Sequence, residues 1–227
     1  MTYSFPFLKN LWQQFLKHFP GSTYDLVDVW TLDGKYPWST LVDSYTHLSA
    51  RPRKWKFLYH FSNFWLTEKM TDWHSNALCG KSIRKRIASY DPDVIVNVHP
   101  AMSGAPSYQL AKINKRLGRH IPFYIVVTDM GTAHATWFRS KRADKIYVAS
   151  EKIKRLAKRR GRFANNRIVM SGLPIRQSFA DEAKNLGDRT SEAGKDYQAE
   201  VRQSLGIDTD RQMVLVMGGG EGELPSR

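Results

Sequence analysis

Residues 122–139 read PFYIVVTDMGTAHATWFR, and the interpretation of the whole chain starts from this stretch. It opens with a continuous apolar run at residues 123–127, which is typical of a buried strand. The polar and aromatic residues that follow are Thr128, Asp129, His134, Trp137 and Phe138. In open α/β sheets, ligands bind outside the carboxyl ends of the parallel strands. The stretch therefore predicts a strand followed by a loop of candidate site residues, whose two large aromatic side chains are expected to be exposed.

The composition points to a soluble domain with an anionic partner. The chain has 227 residues, of which 41% are hydrophobic, so it can form a sizeable core. Its net charge of +14 favours nucleic acid, a phosphate-bearing substrate or an anionic lipid surface as partner. The single cysteine, Cys79, excludes an internal disulfide and argues against a cysteine-based zinc site. No run of 18 uncharged apolar residues occurs, so we expect no transmembrane helix.

Short apolar runs alternate with helical patterns along most of the chain. Besides residues 123–127, the runs that predict strands are residues 24–32, 94–98, 144–149, 167–171 and 213–217. The patterns that predict helices are residues 7–19, 75–89, 107–117, 151–161 and 196–205. This alternation predicts an α/β protein with a Rossmann-like, doubly wound parallel sheet.

Strand ends decide which polar residues are candidates for a site. His99 follows the predicted strand at residues 94–98, so we expect it at the same edge of the sheet as Asp129. A structural role for this histidine is an equally good interpretation. Asp91 and Asp93 precede that strand and would lie at the opposite edge, so we interpret them as a turn and not as metal ligands.

Two segments concentrate the positive charge. At residues 51–61, lysine and arginine side chains interleave with aromatic ones. This pattern suits a lipid headgroup interface, where cations meet phosphates and rings enter the acyl boundary, and it also suits single-stranded nucleic acid. An ordinary helix whose long cationic side chains reach out to solvent is an equal alternative. The helix predicted at residues 151–161 is either a solvated face or a second contact with an anionic surface.

Five stretches taken together resemble the monogalactosyldiacylglycerol synthase family of glycolipid glycosyltransferases. They are DVW at 28–30 with PW at 37–38, DPDVIVNVHPAMSGAP at 91–106, VVTDMGTAHATWF at 126–138, GLPIRQSF at 172–179 and VLVMGGGEG at 214–222. Each stretch alone is a weak signal, and a glycine-rich turn in particular fits either a phosphate site or a tight turn. Their shared order and spacing make the combination specific.

The resemblance implies a GT-B architecture, in which two Rossmann-like domains face each other across a cleft. Residues 1–176 would form the acceptor-side domain, residues 177–210 a linker and a helix, and residues 211–227 the first strand and glycine-rich loop of the donor domain. The implied reaction is an inverting transfer of galactose from UDP-galactose to 1,2-diacylglycerol, with no metal and no cofactor. We expect the chain to be incomplete at both ends and inactive alone, because most of the donor domain would be missing.

The resemblance also assigns site residues. The acceptor or lipid side would be formed by Pro37, Trp38, His99, Asp129, His134 and Trp137, with Trp137 in contact with the membrane. The donor phosphates would be held by Arg176, Gly218, Gly219, Gly220 and Glu221. The family's general base is a histidine in a Gly-Gly-Gly-His loop that has no counterpart in this chain. The catalytic base is therefore unknown, and we expect His134 to be a positioning group.

The expected partners are diacylglycerol and anionic membrane lipids, with peripheral association at the plastid envelope and no specific nucleic acid. The residues do not distinguish galactose from glucose as the sugar. Two alternatives remain open: a basic nucleic-acid-binding protein that uses residues 51–61 and 151–162, and a non-catalytic membrane-association module.

Overall fold

The computed structural model describes residues 6–49, 51–209 and 211–215. It divides into two units. The larger unit comprises residues 11–174, and the smaller comprises the described residues at either end of the chain. The division falls between Pro174 and Ile175.

The larger unit contains a parallel sheet of four strands in the order β1-β2-β3-β4. The strands are β1 (Ile95–Asn97), β2 (Phe123–Val126), β3 (Lys145–Val148) and β4 (Ile168–Met170). Asn97 lies opposite Ile125 in the register of β1 and β2, and Val148 lies opposite Met170 in the register of β3 and β4. The predicted α/β class and parallel sheet are confirmed, and the sheet is consistent with a Rossmann-like domain. Strands β2, β3 and β4 each pair with the described strand directly before them in the chain.

Helices connect and flank these strands. They are α1 (Pro6–His18), α2 (Val29–Asp33), α3 (Leu41–Ser49), α4 (Pro52–Ser62), α5 (Trp65–Tyr90), α6 (Ala105–Leu117), α7 (Glu151–Gly161), α8 (Gln177–Leu186) and α9 (Glu192–Ser204). Short 3-10 turns occupy Trp38–Thr40, Pro100–Met102, Ala135–Phe138 and Asn165–Arg167. The helices predicted near residues 7–19, 107–117 and 151–161 are confirmed, the last with the same bounds.

The core lies between one face of the sheet and the helices that pack on it. In β2 and directly after it, Phe123, Ile125 and Val127 are buried, while the side chains between them are half-buried. Helix α5 buries a stripe with a spacing of four residues, because side chains four apart share one helix face. The members of this stripe are Ser75, Cys79, Ile83 and Ile87. On the other sheet face, Val96 is exposed, and Tyr124 and Tyr147 are half-buried.

Helices α5 and α6 approach each other closely, and this contact shapes the site described below. A Cβ atom at Gly80 would lie 2.5 Å from the Nε2 atom of Gln109, so a larger residue would disturb the contact. Gln109 is buried and donates a hydrogen bond to the Oδ1 atom of Asn76 at 3.0 Å. The hydrogen bond between Gln109 and Asn76 therefore joins the two helices where they pack against each other.

The strand predicted at residues 24–32 is wrong. Residues 22–28 have no regular structure, and α2 follows. The side chain of Asp28 accepts hydrogen bonds from the backbone N–H groups of Trp30 and Thr31, which caps and starts this helix. The prediction was wrong because the alternation of apolar residues is short, and so short a pattern fits a strand and a single helical turn equally well.

The carboxyl-terminal predictions differ from the structure in two places. The linker predicted after Arg176 is helical at once, since α8 begins at Gln177 and α9 extends further toward the amino end than residues 196–205. Residues 211–215 form no strand, and the rest of the strand predicted at residues 213–217 lies outside the described residues.

Candidate functional site

His99 and Asp129 lie at the carboxyl ends of β1 and β2, on the edge of the sheet where the sequence places them. Asn97, at the end of β1, shapes this edge, because its Oδ1 atom accepts a hydrogen bond from the backbone N–H of His99 at 3.1 Å. The imidazole is accessible to solvent, yet neighbouring protein atoms crowd it and lower the pKa of His99 by desolvation. The negative charges of Asp28 and Asp129 oppose this shift.

Trp137 is completely buried, with 0% of its surface exposed, and Phe138 is 2% exposed. The expectation that these two side chains are exposed is therefore wrong, and so is the assignment of Trp137 as a membrane contact. The 3-10 turn Ala135–Phe138 directs both rings into the core. The indole N–H donates a hydrogen bond of 2.6 Å to the Oδ2 atom of Asp129, so its one polar group is satisfied. The buried Trp137 thus holds the carboxylate of Asp129 in place by a hydrogen bond from the core side.

His134 is held in one neutral form by its hydrogen bonds. Its Nδ1 atom accepts from the backbone N–H of Thr136 at 3.2 Å, so the ring proton lies on Nε2. That N–H lies 2.9 Å from the hydroxyl oxygen of Ser62, to which it donates. Desolvation, with a smaller effect of the Arg139 charge, lowers the pKa of His134 to about 4. With both nitrogen atoms engaged, this residue suits positioning and not proton transfer.

The same contacts tie α4 to the loop after β2. The side-chain oxygen of Asn63, directly after α4, accepts a hydrogen bond from the backbone N–H of Ala135 at 3.0 Å. The ring of Tyr59 on α4 meets the ring of His134 edge-on, with 5.1 Å between centroids. The loop that carries Asp129 is therefore anchored to α4 at two adjacent positions.

Trp38 joins three elements and is half-buried. Its ring lies 5.3 Å from that of Trp30, and its indole N–H donates to the Nδ1 atom of His74 on α5 at 3.1 Å. Trp30 in turn donates to the backbone oxygen of Ala101 at 3.2 Å. Pro37 is exposed beside this cluster. The placement of Pro37 and Trp38 on the lipid side stays a prediction.

Large apolar side chains are exposed along the second half of α4 and the first half of α5. We call these residues the aromatic surface: Phe57 (71% exposed), Phe61 (54%), Phe64 (52%), Trp65 (59%), Met70 (62%) and Trp73 (73%). Exposed cations accompany them, namely Arg53, Lys54, Lys56 and Lys69. The ammonium group of Lys69 lies 5.0 Å from the centroid of the Trp65 ring. The sequence analysis placed the mixed cationic and aromatic segment at residues 51–61. The four-residue spacing of Trp65, Lys69 and Trp73 already puts these three on one helix face.

A cavity of about 440 Å³ opens between α5, α6 and residues 139–142, and we call it the α5–α6 cavity. At its wall, Asp72 of α5 accepts a hydrogen bond from the guanidinium of Arg139 at 3.2 Å. Partial burial raises the pKa of Asp72, and the charge of Arg139 opposes this shift. Sequence reasoning missed the cavity because these two residues lie 67 positions apart.

A sequence profile described as Monogalactosyldiacylglycerol (MGDG) synthase matches residues 8–175, which include the whole described sheet and the site. The chain belongs to the monogalactosyldiacylglycerol synthase family. This confirms the family to which the five sequence stretches pointed.

Curated members of the MGDG synthase family from plants are similar to most of this chain. Monogalactosyldiacylglycerol synthase 1, chloroplastic, from Arabidopsis thaliana is 30% identical over 200 residues, which are 88% of this chain and 34% of the relative. The probable synthase from Glycine max is 32% identical over 215 residues, or 90% and 36% of the two chains. The synthase from Spinacia oleracea is 29% identical over 207 residues, or 90% and 37%. The chain spans about a third of the length of these MGDG synthases.

Of the residues assigned to the donor phosphates, Arg176 is described by the structure. Arg176 is the residue before α8 in the smaller unit, where its guanidinium lies 5.5 Å from the ring of Phe179. Gly218, Gly219, Gly220 and Glu221 lie outside the described residues. Their role in binding a nucleotide sugar, as in the MGDG synthase resemblance, stays a prediction.

Within residues 6–49, 51–209 and 211–215, no group of three histidine, cysteine, aspartate or glutamate side chains is arranged to hold a metal ion. In the same part of the chain, no helix combines the length and the apolar character needed to cross a bilayer.

Proposed function

We propose that this chain forms the acceptor-side part of an enzyme that transfers galactose from UDP-galactose to 1,2-diacylglycerol with inversion, using neither a metal nor an organic cofactor. The match of the MGDG synthase profile to residues 8–175 carries this proposal. The names of the plant relatives, which describe chloroplastic monogalactosyldiacylglycerol synthases, support it and suggest the plastid envelope as the location.

The chemistry assigns different roles to the two histidines of the site. An inverting transfer needs a base for the acceptor hydroxyl, in-line attack at the anomeric carbon and stabilisation of the departing UDP. His134 has both nitrogen atoms engaged, so it holds the loop in place. His99 is exposed, and its ring interacts with the charges of Asp28 and Asp129, so we assign it the hydrogen bond that orients the acceptor hydroxyl. The resemblance assigns the base itself to the histidine of the family's Gly-Gly-Gly-His loop, which has no counterpart in this chain.

The aromatic surface supports peripheral binding to a membrane, which is where diacylglycerol resides. Side chains such as Phe57 and Trp73 are more than 70% exposed, which is unfavourable in water and favourable at the boundary between headgroups and acyl chains. The neighbouring cations match an anionic leaflet, where each one adds about 1 kcal/mol. We therefore assign membrane contact to the aromatic surface instead of Trp137.

The test is galactosyl transfer by the complete gene product. Radiolabelled UDP-galactose and diacylglycerol in vesicles should yield monogalactosyldiacylglycerol, and UDP-glucose should be a much poorer donor. His99→Ala should lower kcat by about tenfold or more, since a lost positioning contact costs at least that much. The control His18→Ala removes an exposed histidine at the end of α1 and should keep full activity. Absence of galactolipid product with the unaltered protein would reject the proposal.

A further inference from the structure

The α5–α6 cavity carries more positive than negative charge. Its charged lining residues are the three cations Lys112, Arg139 and Arg142 and the single carboxylate Asp72. Asp72 is already engaged by Arg139 at 3.2 Å. Lys112 and Arg142 form no ion pair with any carboxylate in the part of the chain that the structure describes. The excess charge of the cavity therefore resides on these two residues.

Lys112 and Arg142 converge on one aromatic ring. The ammonium of Lys112 lies 4.7 Å from the centroid of the Tyr108 ring, and the guanidinium carbon of Arg142 lies 5.0 Å from it. The ring attracts each cation, but the two cations repel each other. Both positive charges therefore lie close to the same ring, and an anion near that ring is attracted by both.

The inner wall of the cavity holds polar groups without partners. The Nε atom of Arg139 and the hydroxyl of Ser140 are buried and form no hydrogen bond within the described residues. The Arg139 side chain is 9% exposed, and Ser140 is 2% exposed. Buried donors without acceptors are uncommon in folded proteins. Because both atoms are shielded from solvent, an anion in the cavity acts on them through its charge and not through a hydrogen bond.

The amino end of α6 is not the place for the anion, since a carboxylate of the protein already lies there. A Cβ atom at Gly104, the residue before α6, would come within 2.5 Å of the Oδ1 atom of Asp72. The partial positive charge of the helix end is thus already compensated by Asp72. This leaves the side of the cavity formed by Lys112 and Arg142.

We infer that the α5–α6 cavity binds a phosphate group, with Lys112 and Arg142 as its cationic ligands. Arginine matches phosphate oxygen atoms with two parallel N–H donors, and lysine adds a point charge. Trp73 lines the same cavity and belongs to the aromatic surface. A phospholipid in the membrane could therefore place its headgroup phosphate between the two cations while Trp73 lies at the acyl boundary. This lipid source rests on the proposed membrane binding, and a free phosphate compound is the other source.

The experiment compares soluble and membrane-bound phosphate on the same chain. Inorganic phosphate and glycerol 3-phosphate are titrated by calorimetry, and flotation measures binding to phosphatidylcholine vesicles with and without phosphatidylglycerol. The test variant is the double substitution Lys112→Gln and Arg142→Gln. The matched control is Lys115→Gln and Arg116→Gln, which removes the same charge from exposed positions at the end of α6, away from the cavity lining.

The test variant should weaken glycerol 3-phosphate binding by about tenfold or more, because charge-assisted contacts to phosphate are strong. The control should change it less than about twofold, since it alters only screened surface charge. A loss confined to the phosphatidylglycerol vesicles identifies a headgroup site, and a loss confined to the soluble phosphates identifies a free ligand. Equal losses in both double variants, or no loss with any probe, overturn the inference. These measurements do not involve galactose, so they stand or fall separately from the proposed reaction.

Discussion

The hydrogen bond between Trp137 and Asp129 links the core to the edge of the sheet. The indole fills a buried position completely, and its N–H holds the carboxylate at 2.6 Å. Trp73 has the same side chain with the opposite environment, since 73% of its surface is exposed. Trp137 is therefore a structural residue, whereas Trp73 belongs to the aromatic surface for which we propose membrane contact.

Trp137→Ala should lower the free energy of unfolding by about 3–5 kcal/mol, because it empties a large buried volume and leaves Asp129 without its donor. Trp73→Ala should change it by less than about 0.5 kcal/mol, since the ring is mostly in water. Urea unfolding measures both values. A stability loss for Trp73→Ala as large as that for Trp137→Ala would contradict the assignment of the two environments.

The protonation of His134 should make stability depend on pH. In the folded chain its pKa is lowered from 6.5 to about 4, so between these values the unfolded state binds more protons than the folded state. The stability contributed by the neutral ring is fully present above pH 6.5. It is lost progressively as pH falls toward 4.

His134→Gln removes this titration while its amide N–H can still reach Ser62. Between pH 7 and pH 4.5, the variant should lose about 1 kcal/mol less unfolding free energy than the unaltered chain, a value reduced from the full linkage because the ring is partly exposed. Urea midpoints at several pH values give the difference. Parallel pH curves for the two proteins would show that His134 does not titrate as described.

At the scale of elements, the apolar pattern of the sequence determined most of the sheet. Residues 123–127 and 144–149 predict β2 and β3 because both segments are short and contain β-branched and aromatic residues, which favour a strand over a helix. The strand predicted at residues 24–32 was wrong, since Asp28 caps a short helix there and a helix of five residues leaves little periodicity in the sequence. The ends of the predicted strands placed His99 and Asp129 at the same edge of the sheet. The burial of Trp137 and the α5–α6 cavity depend on contacts between distant segments, such as Asp72 with Arg139, which no local pattern contains.

Helix α4 combines an exposed aromatic side with an anchor to the site loop. Phe57 and Phe61 lie one turn apart and stack, with 6.0 Å between ring centroids, while Ser62 and Asn63 bind the loop after β2. Insertion of the rings into a bilayer would therefore fix the height of the Asp129 loop above the lipid. This arrangement suits an acceptor that remains in the membrane.

The double substitution Phe57→Ser and Phe61→Ser should weaken binding to anionic vesicles by about tenfold or more, because two phenyl rings no longer leave water. Flotation with phosphatidylglycerol-containing vesicles measures the effect. Phe179→Ser is the control, since Phe179 is 60% exposed but lies on α8. If the control weakened binding as much as the double variant, general surface hydrophobicity would explain the result.

For the molecule as a whole, the net charge of +14 predicts attraction to any polyanion, and the aromatic surface predicts a preference among them. Raising the salt concentration from about 0.1 M to 1 M shortens the screening length from about 10 Å to about 3 Å. Binding to anionic vesicles should weaken under these conditions but persist, because ring insertion is not screened. Binding to a single-stranded oligonucleotide should be lost.

A competition experiment between an oligonucleotide and vesicles tests the same preference directly. An oligonucleotide at equal phosphate concentration should not displace the chain from phosphatidylglycerol vesicles. Displacement that persists in high salt would favour the nucleic-acid interpretation, in which aromatic rings stack on bases.

The consecutive strand order has a consequence for how the chain acquires its structure during synthesis. Because β2, β3 and β4 each pair with the strand directly before them, every new strand leaving the ribosome finds a finished template. Each step closes only the one connection between consecutive strands, which contains α6, the turn Ala135–Phe138 or α7, so no step has to close a longer loop. The sheet can therefore grow stepwise toward the carboxyl end without waiting for any later segment of the polypeptide.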